Sequence, residues 1–374
     1  MRSACMKGHY LYGCDYKHFQ HLLKENEADL DPGQAERIEE CRRYSRFLTR
    51  FAKIERFFWD RRIRNMVIDK PPLFILGHWR SGTTYLFNLL SCDPETSFMD
   101  SMTTFTFHNF LLLRYHLPKH YSDKLTGDRY GDDMEFLPHT PQEECYAIAN
   151  CIDETFTHLI TFPQNYQKYM DYAFEDGLTP EQRQRWCDTH SYLLKKISYF
   201  RKGKRILFKS PDNTAKLGML HNLYPDAKFV HIYRDPYKVL LSTIHMFEEG
   251  IQAMTFEKVP SHELVVDMAI RFYKRIYTQY LKDMARVPKE QLVEIAYSDL
   301  VKAPMETLEQ IYRDLDLPGF EAARPLMQAH VDSQKSYKPN RFDLDPVLRD
   351  KINAELGFFF EHYHIPMKTA EGES

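Results

Sequence analysis

The chain has 374 residues, of which 43% are hydrophobic and 28% are charged, and this excludes a disordered, collagen-like or low-complexity protein. Its 50 Lys and Arg against 53 Asp and Glu give a formal net charge of −3. That balance argues against a general nucleic-acid-binding protein, so no nucleic-acid partner is expected.

The cysteines and the apolar stretches indicate the compartment. The seven cysteines include no C-x-x-C pair, so neither a disulfide framework nor a zinc site is indicated. No His/carboxylate pair has ligand spacing, and no bound metal is expected. No apolar stretch has the length of a signal peptide or of a membrane span. We therefore expect a soluble, cytoplasmic protein with reduced thiols.

The first 70 residues are predicted to be helical. Residues 41–68 carry nine Lys or Arg and two acids. Their apolar residues recur at helical spacing: Tyr44, Phe47, Leu48, Phe51, Ile54 and Phe58. Such a helix either covers a core and turns a basic face to water, or makes peripheral contact with an anionic membrane. The first interpretation is favoured, because most amphipathic helices simply cover a core.

After Pro71 and Pro72, which end this helix, strands and helices alternate. Short apolar runs predict buried strands at 73–76, 205–208, 228–232 and 292–296. Helices are predicted from Ser81, near 213–223, from Pro236 and over about 303–315. This alternation predicts an α/β fold, with a parallel sheet flanked by helices. Residues between the first two strands are interpreted as a helical insertion into that core.

No linker or internal repeat divides the chain, so 1–374 is interpreted as a single domain. Its parts are a helical N-terminal segment 1–70, an α/β core 71–98 and 201–316, a helical insertion 99–200, and a C-terminal segment 317–374.

The sharpest motif is the loop Gly77–Thr84, which reads GHWRSGTT. It lies between a predicted strand and a predicted helix, where backbone N–H groups face an anion. The G-x-x-x-x-G spacing matches the nucleotide P-loop, although Thr83 stands where that loop has its lysine. A tight turn with Ser81 as N-cap would not need an arginine, two glycines and two hydroxyls together. The loop predicts a P-loop-like anion site formed by Arg80, Ser81, Gly82, Thr83 and Thr84.

Two further blocks carry a resemblance to a known family. Residues 207–211 read LFKSP, and residues 223–236 read LYPDAKFVHIYRDP, with Ser242 eight residues after Arg234. With the loop, they resemble the sulfotransferases that use 3′-phosphoadenosine 5′-phosphosulfate (PAPS), in the bacterial branch whose loop reads R-S-G-T-T. The resemblance spans about residues 72–363. It implies a P-loop-like nucleotide-binding core and in-line transfer of a sulfonate to an acceptor hydroxyl, with no required metal.

The resemblance also implies which residues hold PAPS. The loop would bind the 5′-phosphosulfate, and Arg234 with Ser242 would bind the 3′-phosphate, for which a guanidinium and a hydroxyl are suited. The alternative for Arg234 is a surface ion pair at a strand end. The segment that begins at Tyr297 resembles the part of the family that lies near the adenine. A C-terminal block resembles the clamp on the cofactor and contributes Lys338, Asn340 and Arg341.

Lys209 ends a predicted strand. The resemblance implies that its ammonium contacts the bridging oxygen or the sulfonate and offsets the charge of the leaving group. The alternative is a solvated lysine at the sheet edge. The cytosolic animal branch reads Lys-Thr-His at this place and uses the histidine as general base, whereas this chain reads Lys209-Ser210-Pro211.

The general base is therefore sought elsewhere. Residues 141–146 read PQEECY and partly match the P-Q-E-D-E pattern of the bacterial branch. Glu143 and Glu144 are both candidates to deprotonate the acceptor hydroxyl. For Glu143 the alternative is a capping box with Thr140 as N-cap. The remaining candidates are histidines of the insertion, His108 and His139.

The insertion is interpreted as the acceptor side. Residues 98–121 are rich in Phe, Leu and Met, and 155–172 add Phe156, Phe162, Tyr166 and Tyr169. These segments either line an apolar pocket or form ordinary core. A pocket of this kind favours a small lipophilic alcohol such as a sterol or steroid. The alternatives are a carbohydrate or other hydroxyl acceptor, and a P-loop kinase or nucleotide hydrolase. The oligomeric state is left open.

Overall fold

The computed structural model describes residues 8–113, 127–128, 135–334 and 343–369. The strands are β1 (Leu73–Leu76), β2 (Thr96–Phe98), β3 (Gly127–Asp128), β4 (Glu135–Phe136), β5 (Arg205–Phe208), β6 (Lys228–Tyr233) and β7 (Leu292–Ala296). Five of them form a parallel sheet in the order β2-β5-β1-β6-β7, and β3 pairs with β4 in an antiparallel ribbon. The predicted α/β fold is confirmed.

Helices flank this sheet and make up most of the remainder. In chain order the α-helices of the described residues are α1 (Tyr16–Glu25), α2 (Ala35–Arg64), α3 (Thr83–Leu90), α4 (Ser101–Phe105), α5 (Phe110–Leu113), α6 (Cys145–Ala149), α7 (Tyr166–Asp171), α8 (Pro180–Phe200), α9 (Leu217–Leu223), α10 (Pro236–Met254), α11 (His262–Met284), α12 (Tyr297–Lys302), α13 (Pro304–Asp314), α14 (Phe320–Ser333) and α15 (Pro346–His362). No helix of these residues is both long and apolar enough to cross a bilayer.

The central strands are buried on both faces, as their continuous apolar runs predict. Because side chains alternate along a strand, Leu73 and Ile75 of β1 face a smaller core that includes α3 and α13. Phe74 and Leu76 face the larger core, which includes the N-terminal helices, the insertion and α10, α11 and α15. The sheet is therefore the wall between two apolar layers.

All four predicted strands are present, and the structure adds β2 to their sheet and the separate ribbon of β3 and β4. Strand β2 pairs with β5 and has only one large apolar residue, so it carries no periodic signal. Its presence moves β5 from the sheet edge to the interior. Lys209, which follows β5, is buried, and the solvated-lysine alternative is wrong.

The N-terminal segment and the insertion pack on each other. Helix α2 begins at Ala35, earlier than the predicted 41–68, and ends at Arg64. On its inner face the buried carboxylate of Glu55 pairs with the ammonium of Lys196 from α8 and accepts a hydrogen bond from the Leu112 backbone N–H at 2.9 Å. In the described part of the insertion, the helices between Ser101 and Asp171 are short, and they occur together with 3₁₀ turns and the ribbon of β3 and β4.

Candidate active site

Four of the predicted site residues, or of the loops that carry them, lie at the ends of strands. Gly77, Lys209, Arg234 and Tyr297 directly follow β1, β5, β6 and β7, respectively. Because the carboxyl ends of parallel strands meet at one edge of a sheet, these four positions lie side by side. Ligands of open α/β sheets bind at this edge.

The loop after β1 has a backbone that only glycine adopts without strain at two positions. Gly77 has φ +140° and Gly82 has φ +103°. A Cβ on Gly82 would lie 2.3 Å from the Tyr297 ring, so the loop packs directly on the segment after β7. Gly82 is the N-cap of α3, and its lack of a side chain leaves the first-turn N–H groups without a side-chain cap. Such a turn provides donors for an anion.

Helix α3 begins at Thr83, not at Ser81 as predicted. The Ser81 hydroxyl is not an N-cap; it is buried and donates a hydrogen bond to the backbone carbonyl of His78 at 2.8 Å. Its role in the structure is to close the loop. Thr83 and Thr84 begin the helix and line the cavity described below.

Arg80 and Arg234 are linked where this loop contacts β6 and α10. The Arg80 Nε donates to the Ser242 hydroxyl at 2.7 Å, and Arg234 donates to the Arg80 backbone carbonyl at 3.0 Å. The Arg234 guanidinium also lies over the Tyr297 ring, 4.2 Å from its centroid. The structure thus brings together residues from three separate motifs. Guanidinium groups are suited to phosphate oxygens.

Lys209 forms a second cluster with the insertion. Its ammonium pairs with the carboxylate of Glu143 and lies 3.3 Å from the Thr84 hydroxyl. The Lys209 side chain is 3% exposed and that of Glu143 is 12% exposed. A lysine and a carboxylate from different parts of the chain therefore meet beside the first turn of α3.

Glu144 points into the protein instead. Its carboxylate accepts hydrogen bonds from the Lys209 backbone N–H, at 3.1 Å, and from the side-chain amide of Asn213. Burial raises the pKa of Glu144 to about 7. Because these contacts tie the segment before α6 to the end of β5, Glu144 positions the main chain at Lys209.

The predicted capping box at 140–143 is absent. Helix α6 begins only at Cys145, with Glu144 as its N-cap. The Thr140 hydroxyl donates to the backbone carbonyl of Leu137 at 2.8 Å. The buried contacts of Glu144 set the start of the helix, and they override the local preference of the TPQE sequence.

An open cavity leads to the Glu143–Lys209 pair. With its mouth and the open solvent there it spans about 1130 Å³. One end is polar and includes Arg80, Thr83, Thr84, Gln142 and Glu143. The walls are mainly apolar, with Trp79, Phe105, Phe156, Met246, Phe247 and Met254. The arrangement places a carboxylate at the end of an apolar channel.

The sequence predicted only some of the residues that line the cavity. Phe156 lines the cavity, whereas Phe162 and Tyr169 are fully buried in the core and Tyr166 packs against that core. Sequence reasoning missed Tyr10 and one face of α10. On that face Met246, Gly250 and Met254 have the helical spacing i, i+4 and i+8, and Phe247 lies beside Met246. This spacing was the signal by which the sequence could have predicted the face.

The histidine candidates lie away from this cavity. His108 is buried with its Nε2 2.9 Å from the backbone carbonyl of Asn150, and burial lowers its pKa to about 4. His139 is largely exposed, 3.9 Å from Asp100. Neither side chain lines the cavity. The clamp residues Lys338, Asn340 and Arg341 lie outside the described residues.

The described residues contain no group of three or more His, Cys, Asp or Glu side chains arranged to hold a metal ion. The expectation that no metal is bound stays a prediction.

Comparison with known proteins decides the family. The family model described as "Sulfotransferase family" matches residues 71–322, more than half of the chain. The chain belongs to the sulfotransferase family. The predicted family is confirmed, and the chain is a sulfotransferase enzyme. The alternative of a P-loop kinase or nucleotide hydrolase is therefore set aside.

Two relatives of this sulfotransferase are mycobacterial proteins. It is 29% identical over 325 residues to the omega-hydroxy-beta-dihydromenaquinone-9 sulfotransferase Stf3 of Mycobacterium bovis and of Mycobacterium tuberculosis. The match covers 85% of this chain and 81% of each relative. Stf3 is thus a sulfotransferase named for a lipid acceptor.

Solved structures share the fold. Sulfotransferase STF1 from Mycobacterium tuberculosis H37Rv matches with a TM-score of 0.63 and 18% identity, over 92% of this chain and 94% of that one. Sulfotransferase STF9 from Mycobacterium avium matches with a TM-score of 0.65 and 15% identity, over 95% and 98%.

Proposed function

We propose that this sulfotransferase uses PAPS as donor and transfers the sulfonate to a hydroxyl of a lipophilic alcohol, with Glu143 as general base. One observation carries the proposal: Glu143 and Lys209 meet at the polar end of a cavity whose walls are mainly apolar. A small lipid fits such walls, and its hydroxyl would be directed to the carboxylate.

The residues present fit PAPS. When bound, PAPS supplies a sulfonate on a phosphate leaving group and carries a separate 3′-phosphate. The loop 80–84, with the uncapped first turn of α3, offers N–H and hydroxyl donors for the phosphosulfate. Arg234 and Ser242 offer a guanidinium and a hydroxyl for the 3′-phosphate. The Arg234 guanidinium lies over the Tyr297 ring, which pre-organises it.

Each polar group of the pair has a role. Glu143 would accept the proton of the acceptor hydroxyl at a carboxylate oxygen, since it lines the cavity and Glu144 does not. Lys209 would hold the sulfonate end of the donor with its ammonium and stabilise negative charge there. Thr84, 3.3 Å from that ammonium, fixes its direction.

The acceptor class rests on the walls of the cavity and on the relative. Beyond the polar end the lining has polar groups of Tyr10, Tyr146, Thr157 and Asp212, but apolar atoms make up most of its surface. The many hydroxyls of a sugar would be left partly unsatisfied against it, which is costly. The name of Stf3 refers to a lipid with an omega-hydroxyl. Both observations favour a sterol or an isoprenoid alcohol over a carbohydrate. The cytoplasmic location stays a prediction.

A comparison of turnover with different acceptors tests the acceptor class. The full chain is incubated with PAPS and, in turn, a sterol, an isoprenoid alcohol with a terminal hydroxyl, and a polysaccharide. We expect turnover of at least one lipophilic alcohol to exceed that of the polysaccharide by tenfold or more. Equal or greater turnover of the polysaccharide would refute the acceptor class.

A titration tests the donor separately. Adenosine 3′,5′-bisphosphate should bind without metal, and more tightly than ATP with Mg²⁺. If the bisphosphate fails to bind, PAPS is not the donor.

A further inference from the structure

The outer face of helix α2 leaves large apolar side chains in solvent. Phe57 is 84% exposed and Phe58 is 59% exposed, and Phe47 and Ile54 are also exposed. Phe47, Ile54 and Phe58 are spaced at i, i+7 and i+11, so they form one stripe along the helix. Single exposed apolar residues are common, but a stripe of this kind marks an interaction surface.

The same helix is strongly basic on its exposed surface. Its exposed basic residues beyond position 41 are Arg43, Arg46, Arg50, Lys53, Arg56, Arg61, Arg62 and Arg64. Nearby acids compensate only part of that charge: Glu55 is buried and pairs with Lys196, Asp60 pairs with Arg64, and Asp15 lies 3.7 Å from Arg56. An apolar stripe bordered by arginines matches a surface that is apolar inside and anionic at its boundary.

Helix α2 also lies one layer from the cavity. Tyr44 stacks on Tyr12, with ring centroids 4.4 Å apart, and the Ser45 hydroxyl donates to the Cys14 backbone carbonyl at 2.7 Å. Tyr12 belongs to the 3₁₀ turn Tyr10–Gly13, whose Tyr10 lines the cavity. A surface that contacts α2 is therefore adjacent to a wall of the proposed acceptor site.

We propose that the outer face of α2 docks this protein on an anionic lipid surface, with Phe57 and Phe58 inserted between headgroups. The arginines and Lys53 supply attraction to anionic headgroups, and the phenylalanines supply apolar burial. A second copy of the chain is a poorer occupant, because a two-fold contact would bring these like charges together. Docking itself is independent of the proposed function; only its use for delivering a lipid acceptor rests on that function.

Vesicle sedimentation of the full chain tests the docking without donor or acceptor. Vesicles of phosphatidylcholine alone are compared with vesicles that also contain phosphatidylglycerol. We expect binding to the anionic vesicles and at least tenfold weaker binding to the neutral ones. The variant Arg50→Glu/Lys53→Glu/Arg61→Glu should lower the partition coefficient at least about a hundredfold. Phe57→Ser/Phe58→Ser should lower it about tenfold or more.

Matched controls change exposed residues outside α2. Lys282→Glu/Lys289→Glu/Lys302→Glu makes the same change in net charge, and Leu326→Ser/Val347→Ser removes apolar side chains that are also exposed. Both should bind anionic vesicles as the parent chain does. Affinity for adenosine 3′,5′-bisphosphate, measured without vesicles, checks that every variant is folded.

Three results would overturn the proposal. The first is a parent chain that does not bind anionic vesicles, even though it binds the bisphosphate and is active. The second is binding that the α2 variants and the controls reduce equally. The third is a dimer in light scattering that Phe57→Ser/Phe58→Ser dissociates while vesicle binding is absent, since the face would then join two copies. If the parent chain binds anionic vesicles but does not sulfonate a lipophilic alcohol, the result counts against the proposed function and leaves the docking supported.

Discussion

The ammonium of Lys209 and the carboxylate of Glu143 form a nearly buried ion pair between residues 66 positions apart in sequence. Lys209 extends from the end of β5, whereas Glu143 belongs to the insertion before α6. The pair therefore joins the α/β core to the insertion. Each charge is compensated while the site awaits substrate, which lowers the cost of burying both groups.

Replacing the carboxylate of Glu143 should separate chemistry from donor binding. Glu143→Gln keeps the size of the side chain but cannot accept the proton, so turnover should fall about 10²- to 10⁴-fold. Affinity for adenosine 3′,5′-bisphosphate should stay within about threefold. Single-turnover rates with PAPS and calorimetric titration measure the two quantities. Glu143→Asp, which retains a carboxylate, is the control and should keep more activity; full activity in Glu143→Gln would place the base elsewhere.

Glu144 should make stability depend on pH. Burial raises its pKa from 4.5 to about 7 in the folded protein, so the folded state binds this proton more tightly than the unfolded state. The resulting stabilisation is complete below about pH 4.5 and is lost as pH rises through 7. The free energy of unfolding should thus fall between pH 5 and 7.5, by an amount on the order of 3 kcal/mol from this group.

Urea denaturation of the parent chain and of Glu144→Gln at both pH values isolates that contribution. Glu257, whose pKa burial also raises to about 7, acts in the same direction in both proteins and cancels in the difference. The pH dependence should be weaker in the variant. An identical pH dependence would show that the Glu144 carboxyl does not titrate in this range.

Arg234 should discriminate between nucleotides by their 3′-phosphate. Arg234→Ala removes a charged partner, which costs on the order of 1.5–3 kcal/mol, or about ten- to a hundredfold in affinity. Adenosine 3′,5′-bisphosphate should lose this affinity, whereas adenosine 5′-monophosphate should be nearly unaffected. Calorimetry with both nucleotides makes the comparison. If both lose affinity equally, Arg234 acts by supporting the loop through the Arg80 carbonyl and not by binding the 3′-phosphate.

The sequence predicts best what depends on local pattern. Continuous apolar runs predicted the buried strands β1, β5 and β6, whereas β7, at the sheet edge, alternates buried apolar residues with partly buried residues. Strand β2 could not be predicted, because it is held by pairing with β5 and its own three residues show no periodic pattern of apolar side chains. The anion site of the loop 77–84 could be predicted because such a site needs its glycines and hydrogen-bond donors in one short stretch.

Which residues contact each other depends on the whole fold, so the sequence predicts these contacts less well. The choice between Glu143 and Glu144 rests on which carboxylate faces Lys209 and which is tied to Asn213. Both glutamates occur in the same short motif, so spacing alone cannot separate them. Tyr10 reaches the cavity from the N-terminal segment, and nothing in its sequence neighbourhood marks it as part of a site.

Gly250 offers a way to narrow the cavity without disturbing the fold. It lies on α10 and lines the cavity, and a Cβ added there would meet no atom within 4 Å. Gly250→Leu should therefore fill space that an acceptor occupies, and raise the KM for a sterol or isoprenoid alcohol at least about tenfold. Replacing a helical glycine should leave the protein as stable or up to about 1 kcal/mol more stable.

Gly250→Ala is the matched control, since it makes the same backbone change but fills little of the cavity. Both variants should bind adenosine 3′,5′-bisphosphate as the parent chain does, because Gly250 does not contact the loop 77–84. Steady-state kinetics with acceptors of increasing size and thermal unfolding measure the two effects. If Gly250→Leu turns over bulky and small acceptors as the parent chain does, the acceptor does not bind along α10, and the cavity beside Met246 and Phe247 has another use.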